Sequence, residues 1–347
     1  MSSPPPPLPD DVLHLVAHEL LEDDRTHAEH RKDALCMLRV CKGWQSVGTE
    51  WLFREVDVEG ERARKLLKRV EGEPELGGLV RRFHVRGQPP RYGAKPEKAV
   101  RRLFSLCADI RCLVLHPACL SLKAVKAMVE ASASQLIPSS VELSWAFEAE
   151  GINLNLTDLH SLLLCLPHLS HFSLHGDEKH VFQRYDAPPS PLLAMQDVDL
   201  SLTSLTPSTR SPIIRNTLFS MFDPTAMVSL TMCGDLADPE FLSRLSSATS
   251  LEHLSLSADG GTFLAGLPAL SAILPCLQQL KTLALSSRDP LTPFLDSDIL
   301  QHFLPSLPPS LLTGRIAFPF GQSADGGTLV VHISARASSA ASAASRL

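Results

Sequence analysis

Apolar residues recur along this chain in a fixed group of three, apolar-x-x-apolar-x-apolar. The group appears as Val80-x-x-Phe83-x-Val85, Ile110-x-x-Leu113-x-Leu115, Leu169-x-x-Phe172-x-Leu174, Met195-x-x-Val198-x-Leu200, Met227-x-x-Leu230-x-Met232, Leu251-x-x-Leu254-x-Leu256 and Leu280-x-x-Leu283-x-Leu285. A weaker copy, Pro138-x-x-Val141-x-Leu143, falls where the series needs one, and Thr313-x-x-Ile316-x-Phe318 reads as a last copy. Starts are separated by roughly 24 to 33 residues, close to the period of a solenoid repeat. The last two apolar residues stand two apart, so they share one face of a short strand and point into a core. Between copies lie clusters at helical spacing, such as Leu159-x-x-Leu162-Leu163-x-x-Leu166 and Phe241-Leu242-x-x-Leu245. One strand and one helix per repeat predict an α/β array that grows in one direction. The turns Leu166-Pro167-His168-Leu169 and Leu267-Pro268-Ala269-Leu270 fit a helix stopped by proline, and Asp259-Gly260-Gly261 reads as a turn.

The pattern before residue 57 is different. Leu13, Val16 and Leu20, with Val12 beside them, form one apolar stripe; Leu35 and Leu38, then Trp44, Val47 and Trp51, repeat it on two further short helices. Pro9 suits the first turn of the first helix, and Asp10 and Asp11 suit its positive dipole end. Glu22 to Lys32 is densely charged and reads as a solvated loop. Three short helices cannot bury both sides of such stripes among themselves. They either present a partner surface or cap the array downstream.

Composition narrows the chemistry. With 347 residues, 44% hydrophobic and 20% charged, most of the chain can fold, and a net charge of −6 argues against nucleic acid as a partner. The basic residues between Arg62 and Arg102 are diluted by Glu61, Glu71, Glu73, Glu75 and Glu97. No apolar run approaches the ~20 residues that span a bilayer, so no membrane partner is expected. The eight cysteines show no regular pairing and the N-terminus is Pro-rich, so an intracellular setting with free thiols is expected. Asn155-Leu156-Thr157, a glycosylation sequon, would then go unused.

Leu8-Pro9-Asp10-Asp11-Val12-Leu13, Leu35-x-x-Leu38-x-Val40-Cys41-Lys42-Gly43-Trp44 and Trp51-Leu52-Phe53-Arg54 resemble an F-box. The array over roughly 77–320 resembles a leucine-rich repeat domain, although the Asn or Cys that usually follows each strand is missing. Asp177, Asp235 and Asp259 stand near that place in three repeats, so the solenoid is expected to be irregular. Ordinary α/β packing with Leu-rich strands is the other arrangement the pattern admits. Together the resemblances predict an α/β chain, a small helical F-box followed by an irregular horseshoe. The expected divisions are a disordered Pro-rich tail at 1–7, the F-box-like domain at 8–56, a linker or helix at 57–76, the solenoid at 77–333 and a disordered Ala/Ser tail at 334–347.

The order of these two domains resembles the substrate receptors of cullin-RING ubiquitin ligases. The resemblance implies a Skp-family adaptor on the F-box and, through it, a cullin-RING ligase, with a protein substrate on the repeats. Leu8, Pro9, Val12, Leu13, Val16, Leu35, Leu38 and Trp44 are then shared between the F-box core and the adaptor. Substrate contacts are expected where strand alternation turns residues away from the core, at Arg82, His84, Arg86, Glu142, His171, Ser173, His175, Asp197, Asp199 and His253. A non-catalytic scaffold capped by the same helices, or an α/β enzyme, are the competing classes.

Catalytic and metal motifs are weak. His14-Leu15-Val16-Ala17-His18 lacks the glutamate of a zinc protease, and Cys107, Cys112 and Cys119 lack close Cys-x-x-Cys pairing and read as packed thiols. His168, His171, His175 and His180 form the densest histidine group, which reads as a solvated or recognition strand before a metal site. There is no phosphate-cradling Gly-rich loop and no Gly-x-Ser-x-Gly elbow. No cofactor, metal or catalytic role is therefore expected.

Overall fold

The computed structural model describes residues 9–21, 27–58, 60–85, 94–116, 122–132, 138–144, 154–166, 168–177, 181–182, 190–203, 217–233, 236, 238–258, 260–287, 303–320 and 327–334. Leu8, Arg86, Cys119, His180, the expected tail at 1–7 and residues 335–347 of the expected tail at 334–347 lie outside these residues, whereas Ser334 pairs with Thr313 in a strand. The chain forms two compact units, Met1–Pro138 and Ser139–Leu347.

The first unit opens with helices α1 (Asp10–Leu21), α2 (His27–Met37) and α3 (Lys42–Arg54). Pro9 stands one residue ahead of its expected place and caps α1, its carbonyl accepting from Val12 N–H at 3.0 Å and Leu13 N–H at 3.1 Å. Leu13, Ala17, Met37 and Val47 form a small core against which Trp44 and Trp51 pack. The charged stretch expected as a loop is helical from His27, because α2 needs that turn to carry Ala34 and Met37 inward.

α3 runs directly into strand β1 (Glu55–Val58), followed by α4 (Gly60–Gly72), the single turn α5 (Glu75–Gly78), β2 (Arg82–Val85), α6 (Ala94–Leu106), β3 (Cys112–Leu115) and α7 (Leu122–Ser132). The parallel ladder β1-β2-β3 pairs Val56 with Phe83 and Phe83 with Leu113. It begins upstream of 77, and α4 fills most of the segment at 57–76 expected as a linker or helix. Phe83 meets Phe104 of α6 edge-on, with ring centroids 5.5 Å apart, fixing helix to strand.

The second unit contains β4 (Ser140–Ser144), β5 (Leu154–Asn155), α8 (Leu156–Leu164), β6 (His171–Asp177), β7 (Val181–Phe182), β8 (Asp197–Thr203), β9 (Ser229–Cys233), β10 (His253–Ala258), β11 (Thr282–Ser287), β12 (Thr313–Phe320) and β13 (Gly327–Ser334). Strands β4, β6, β8, β9, β10, β11 and β12 pair in parallel in chain order, and β13 returns antiparallel on β12. β5 and β7 form a separate parallel pair. Val141, Phe172, Val198, Leu230, Leu254 and Leu283 stand side by side in one buried row, and Leu143, Leu174, Leu200, Met232, Leu256 and Leu285 in the next. The two final apolar positions of the six motif copies from Val141 to Leu285 thus become adjacent rows of the second unit's core. Each row is continuous, so removing one residue opens a cavity between two neighbours.

The last copy sits two residues away from its expected register. Gly314 pairs with Leu283 and Ile316 with Leu285, so the copy is Leu311-x-x-Gly314-x-Ile316. Ile333 of β13 pairs with Gly314 and lies 3.1 Å from where a Cβ would be, filling the place that glycine leaves.

In place of an asparagine ladder, the backbone itself links successive repeats. Ser139 O accepts from both Ser170 and His171 N–H, Ser170 O from Gln196 and Asp197, Gln196 O from Val228 and Ser229, and Val228 O from Glu252 and His253. The same bifurcated step recurs from Glu252 O to Lys281 and Thr282, and from Lys281 O to Leu312 and Thr313. This satisfies the main chain at each strand start without a special side chain.

Helices between strands have local signals. Asn155 accepts from Thr157 and Asp158 N–H at the start of α8, so the sequon asparagine is an N-cap. Asp238 does the same for helix Pro239–Ser246, with Pro239 in its first turn. Two turn expectations fail in helix Gly260–Ile273, which begins at Gly260 and carries Pro268 in its interior. An interior proline costs about 3 kcal/mol, and the full burial of Phe263, Leu267 and Leu270 offsets it. Among the described residues no helix is long and apolar enough to cross a membrane.

Candidate functional site

Two surfaces stand out, one in each unit. In the first, α1 divides its apolar residues between two faces. Leu13 and Ala17, four apart, go into the helical core, while Val12, Leu15 and Val16 point outward at 39%, 66% and 36% exposure. Leu35 on α2 and Val40 just after it are also exposed, as is Pro9. Leu38 and Trp44 are half-buried. The expected adaptor residues therefore separate into outward ones (Pro9, Val12, Val16, Leu35) and packed ones (Leu13, Leu38, Trp44). Leu15 and Val40 were not expected; the i, i+3, i+4 spacing of Val12, Leu15 and Val16 was the available signal. His14 Nδ1 lies 3.7 Å from Glu50, and His18 meets the edge of Trp51, so both histidines are placed by neighbours in the helical trio.

The remaining expected residues fall on the sheet faces opposite the buried rows. In the first unit that face is closed: His84 is buried with its Nε2 2.5 Å from Glu55 and its Nδ1 3.9 Å from Asp57, and Val114 beside it on β3 is buried too. Arg82 lies 3.9 Å from Glu55 and is exposed. Nearby, Arg31, Arg62 and Lys65 rim a pocket of about 300 Å³ floored by Phe53, Val56 and Leu66. Glu55 and Asp57 also line it, so its three cationic side chains are largely offset by two carboxylates.

In the second unit the face is open. Ser140, His171, Asp197, Ser229, His253, Thr282 and Thr313 form one row, and Glu142, Ser173, Asp199, Thr231, Ser255, Ala284 and Arg315 the next. Register puts His171 of β6 against Asp197 of β8, while His175, in register with Ser201, approaches Asp199 diagonally. His171 Nε2 is 2.5 Å from Asp197 Oδ2 with side chains 50% and 38% exposed; His175 Nε2 is 3.8 Å from Asp199 Oδ2. Ser201 donates to Asp199 Oδ1 at 2.5 Å. Further along, His253 Nδ1 lies 2.8 Å from Thr282 Oγ1, and Lys281 Nζ 2.6 Å from Glu252.

Ser170 Oγ is 2.6 Å from His171 Nδ1, so hydroxyl, imidazole and carboxylate stand in line. The same hydroxyl lies 3.1 Å from Ser139 O and its single proton serves only one of them. Both Ser170 and Ser139 carry the backbone ladder, and the ring and carboxylate are half open to water, which is a binding geometry rather than a shielded nucleophile. Among the described residues no group of three or more His, Cys, Asp or Glu side chains is arranged to hold a metal ion. Cys107 and Cys233 are buried and Cys112 is half-buried. Burial pushes the Cys107 thiol up to about 12, which suits a packed apolar group rather than a nucleophile.

Parallel strands in chain order over a repeated buried pair, with helices in several of the intervals between them, make the second unit a mixed α/β repeat array. No family model matches the chain, and no curated protein matches it. Among solved structures the chain is similar to TLR13 in its complex with ssRNA13, at 14% identity and a TM-score of 0.41. The match covers 79% of this chain and 38% of TLR13, so the chain spans well under half the length of that protein.

Proposed function

We propose that the chain is the substrate-recruiting subunit of an SCF-type ubiquitin ligase. In this reading α1 to α3 are an F-box that holds a Skp-family adaptor, and the open sheet face of the second unit holds the protein to be modified. The observation that carries it is the outward placement of Val12, Leu15, Val16 and Leu35 on α1 and α2, and of Val40 in the turn after α2, while the same helices send Leu13, Ala17 and Met37 into a core of their own. Apolar side chains left outside a satisfied core are the mark of a partner surface. The chain itself then breaks no bond. It raises the effective concentration of a substrate beside a conjugating enzyme.

The test is co-purification of the full chain with a Skp-family adaptor, wild type against Val12→Asp/Val16→Asp. Both positions are outward, so the variant keeps its melting profile, while capture falls on the order of 100-fold as two apolar contacts of about 1 to 2 kcal/mol each are lost and charge is buried. Full capture by the folded double variant refutes the assignment. Trp44 is a poor probe because it packs on the helical core.

A second reading has its own observation. α3 passes without a break into β1, as a cap on a strand array would. Under that reading the wild-type chain captures no adaptor, and Val12→Asp/Val16→Asp changes nothing that can be measured.

A further inference from the structure

We infer that the open sheet face of the second unit binds an extended basic segment of a protein, one carrying Lys or Arg at alternate positions. The inference rests on the receptor reading only for calling that protein a substrate; the binding chemistry stands on the sheet itself.

Three carboxylates lie in the two in-register rows: Glu142 on β4, and Asp197 and Asp199 on β8, with Ser173 and His171 of β6 between the two strands. From β4 to β10 the residues on this face of the described strands include no Lys or Arg; the first is Arg315, on β12. Asp197 and Asp199 stand two residues apart on the same face of β8, a separation of about 6.6 Å. An extended peptide has the same period, so cations at i and i+2 of a bound chain meet both aspartates at once. Cations at any other spacing meet one.

The aspartates are held rather than cancelled. An imidazole nitrogen from β6 lies beside one oxygen of each, 2.5 Å from Asp197 and 3.8 Å from Asp199, and Ser201 donates to the second oxygen of Asp199. A carboxylate has about four acceptor sites, so each keeps capacity for an ammonium or guanidinium. Beyond β8 the face turns to Ser229, Thr231, Ser255, Ser257, Thr282 and Ser286, hydroxyls that can serve the peptide groups of a bound strand without choosing its charge. Exposure separates this face from its counterpart in the first unit, where His84 and Val114 are buried and nothing can lie down. A phosphopeptide or a nucleic acid would meet the same carboxylates as repulsion.

The experiment uses the full chain and fluorescein-labelled peptides of one length, the two lysine peptides also sharing one composition, read by anisotropy. One carries Lys at alternate positions, one carries the same lysines in a single block, and one carries Glu in place of Lys; a single-stranded RNA oligomer is the fourth probe. The alternate-Lys peptide binds at least tenfold more tightly than the others. Asp197→Lys/Asp199→Lys loses at least tenfold of that affinity, and the size-matched Asp197→Asn/Asp199→Asn loses most of it, which covers the chance that the charge reversal unfolds the unit. Equal binding of the three peptides, tighter binding of RNA, or unchanged affinity in the Asn variant overturns the inference.

Adaptor capture by the same variants keeps the two ideas apart. Peptide binding without any adaptor capture by the wild type leaves the basic-segment site standing and removes the receptor role. Adaptor capture without peptide preference does the opposite.

Discussion

Replacing Gly266 by alanine sets two effects against each other whose sizes the structure gives. Gly266 lies inside helix Gly260–Ile273, where alanine is favoured over glycine by about 1 kcal/mol. A Cβ there would lie 2.3 Å from the Cβ of Leu236, 2.5 Å from its carbonyl carbon and 2.7 Å from its carbonyl oxygen. Two of those atoms are backbone, and Leu236 is fully buried, so no flexible side chain can yield. The helix must withdraw from its neighbour, and Phe263, Leu267 and Leu270 lose packing with it. Overpacking of this kind costs about 1 to 3 kcal/mol, here at the upper end, leaving a net loss of about 2 kcal/mol. Hydrogen exchange is the suitable assay because a repeat array need not unfold in one step. Amides of this helix and of β10 should exchange roughly 30-fold faster in Gly266→Ala, a factor that corresponds to about 2 kcal/mol. Gly72 is the control: it ends α4 with nothing within 4 Å of its would-be Cβ and without the left-handed backbone that glycine permits, so its alanine variant should be neutral or slightly protective. Exchange in Gly266→Ala as slow as in wild type would show that the close approach is not a constraint.

Asp238→Ala removes the acceptor for Glu240 and Phe241 N–H, at 2.8 and 3.3 Å, and should destabilise helix Pro239–Ser246 by about 1 kcal/mol, with Asp238→Asn losing a few tenths; equal protection in all three proteins rejects the cap. Cys107 should resist iodoacetamide at neutral pH while exposed Cys36, Cys41 and Cys276 react, as peptide mass spectrometry will show. Its folded pKa is raised from 9.0 to about 12 by burial, so the stability it lends is complete below pH 9 and is lost as pH climbs toward 12. That shift corresponds to about 4 kcal/mol at most. The loss should show as an alkaline slope in the unfolding free energy that Cys107→Ala lacks, and a shared slope would assign it to other groups.

The fold was largely legible because a period of two on strands and a recurrence of the triad act locally. Phe172 and Leu174, or Leu254 and Leu256, announce their burial within six residues of sequence, and the copies stack because identical steps repeat. Legibility failed where a distant partner decides. Gly314 takes a core place without an apolar side chain, since Ile333 comes from β13 to fill it, and a search for repeated apolar triplets passes over both. β13 itself, Gly327 to Ser334, has plain strand composition but breaks the parallel order, so the repeat pattern hid it. Pro268 reads as a helix stop by every local rule, and burial of the residues around it overrides the rule.

The candidate sites split along the same line. Alternation alone places His171, Ser173, His175, Asp197, Asp199 and His253 on one face, and pairing in the second unit agrees position by position. That His171 meets Asp197 rather than Asp199 follows from register, which is fixed by the whole buried row and by no residue near either partner. His84 obeys the same alternation as His171 yet ends buried, because Glu55 and Asp57 on β1 meet it in place of water. Sequence position therefore gives the direction in which a side chain leaves the strand, and its cross-strand neighbours decide whether it arrives in solvent. On α1 the same division falls within one helix: Leu13 and Ala17 are claimed by Met37 and Val47, and the residues beside them, Val12 and Val16, stay outside that core. A stripe read as single in the sequence is two stripes once the neighbouring helices are in place, and the outer one carries the test of function.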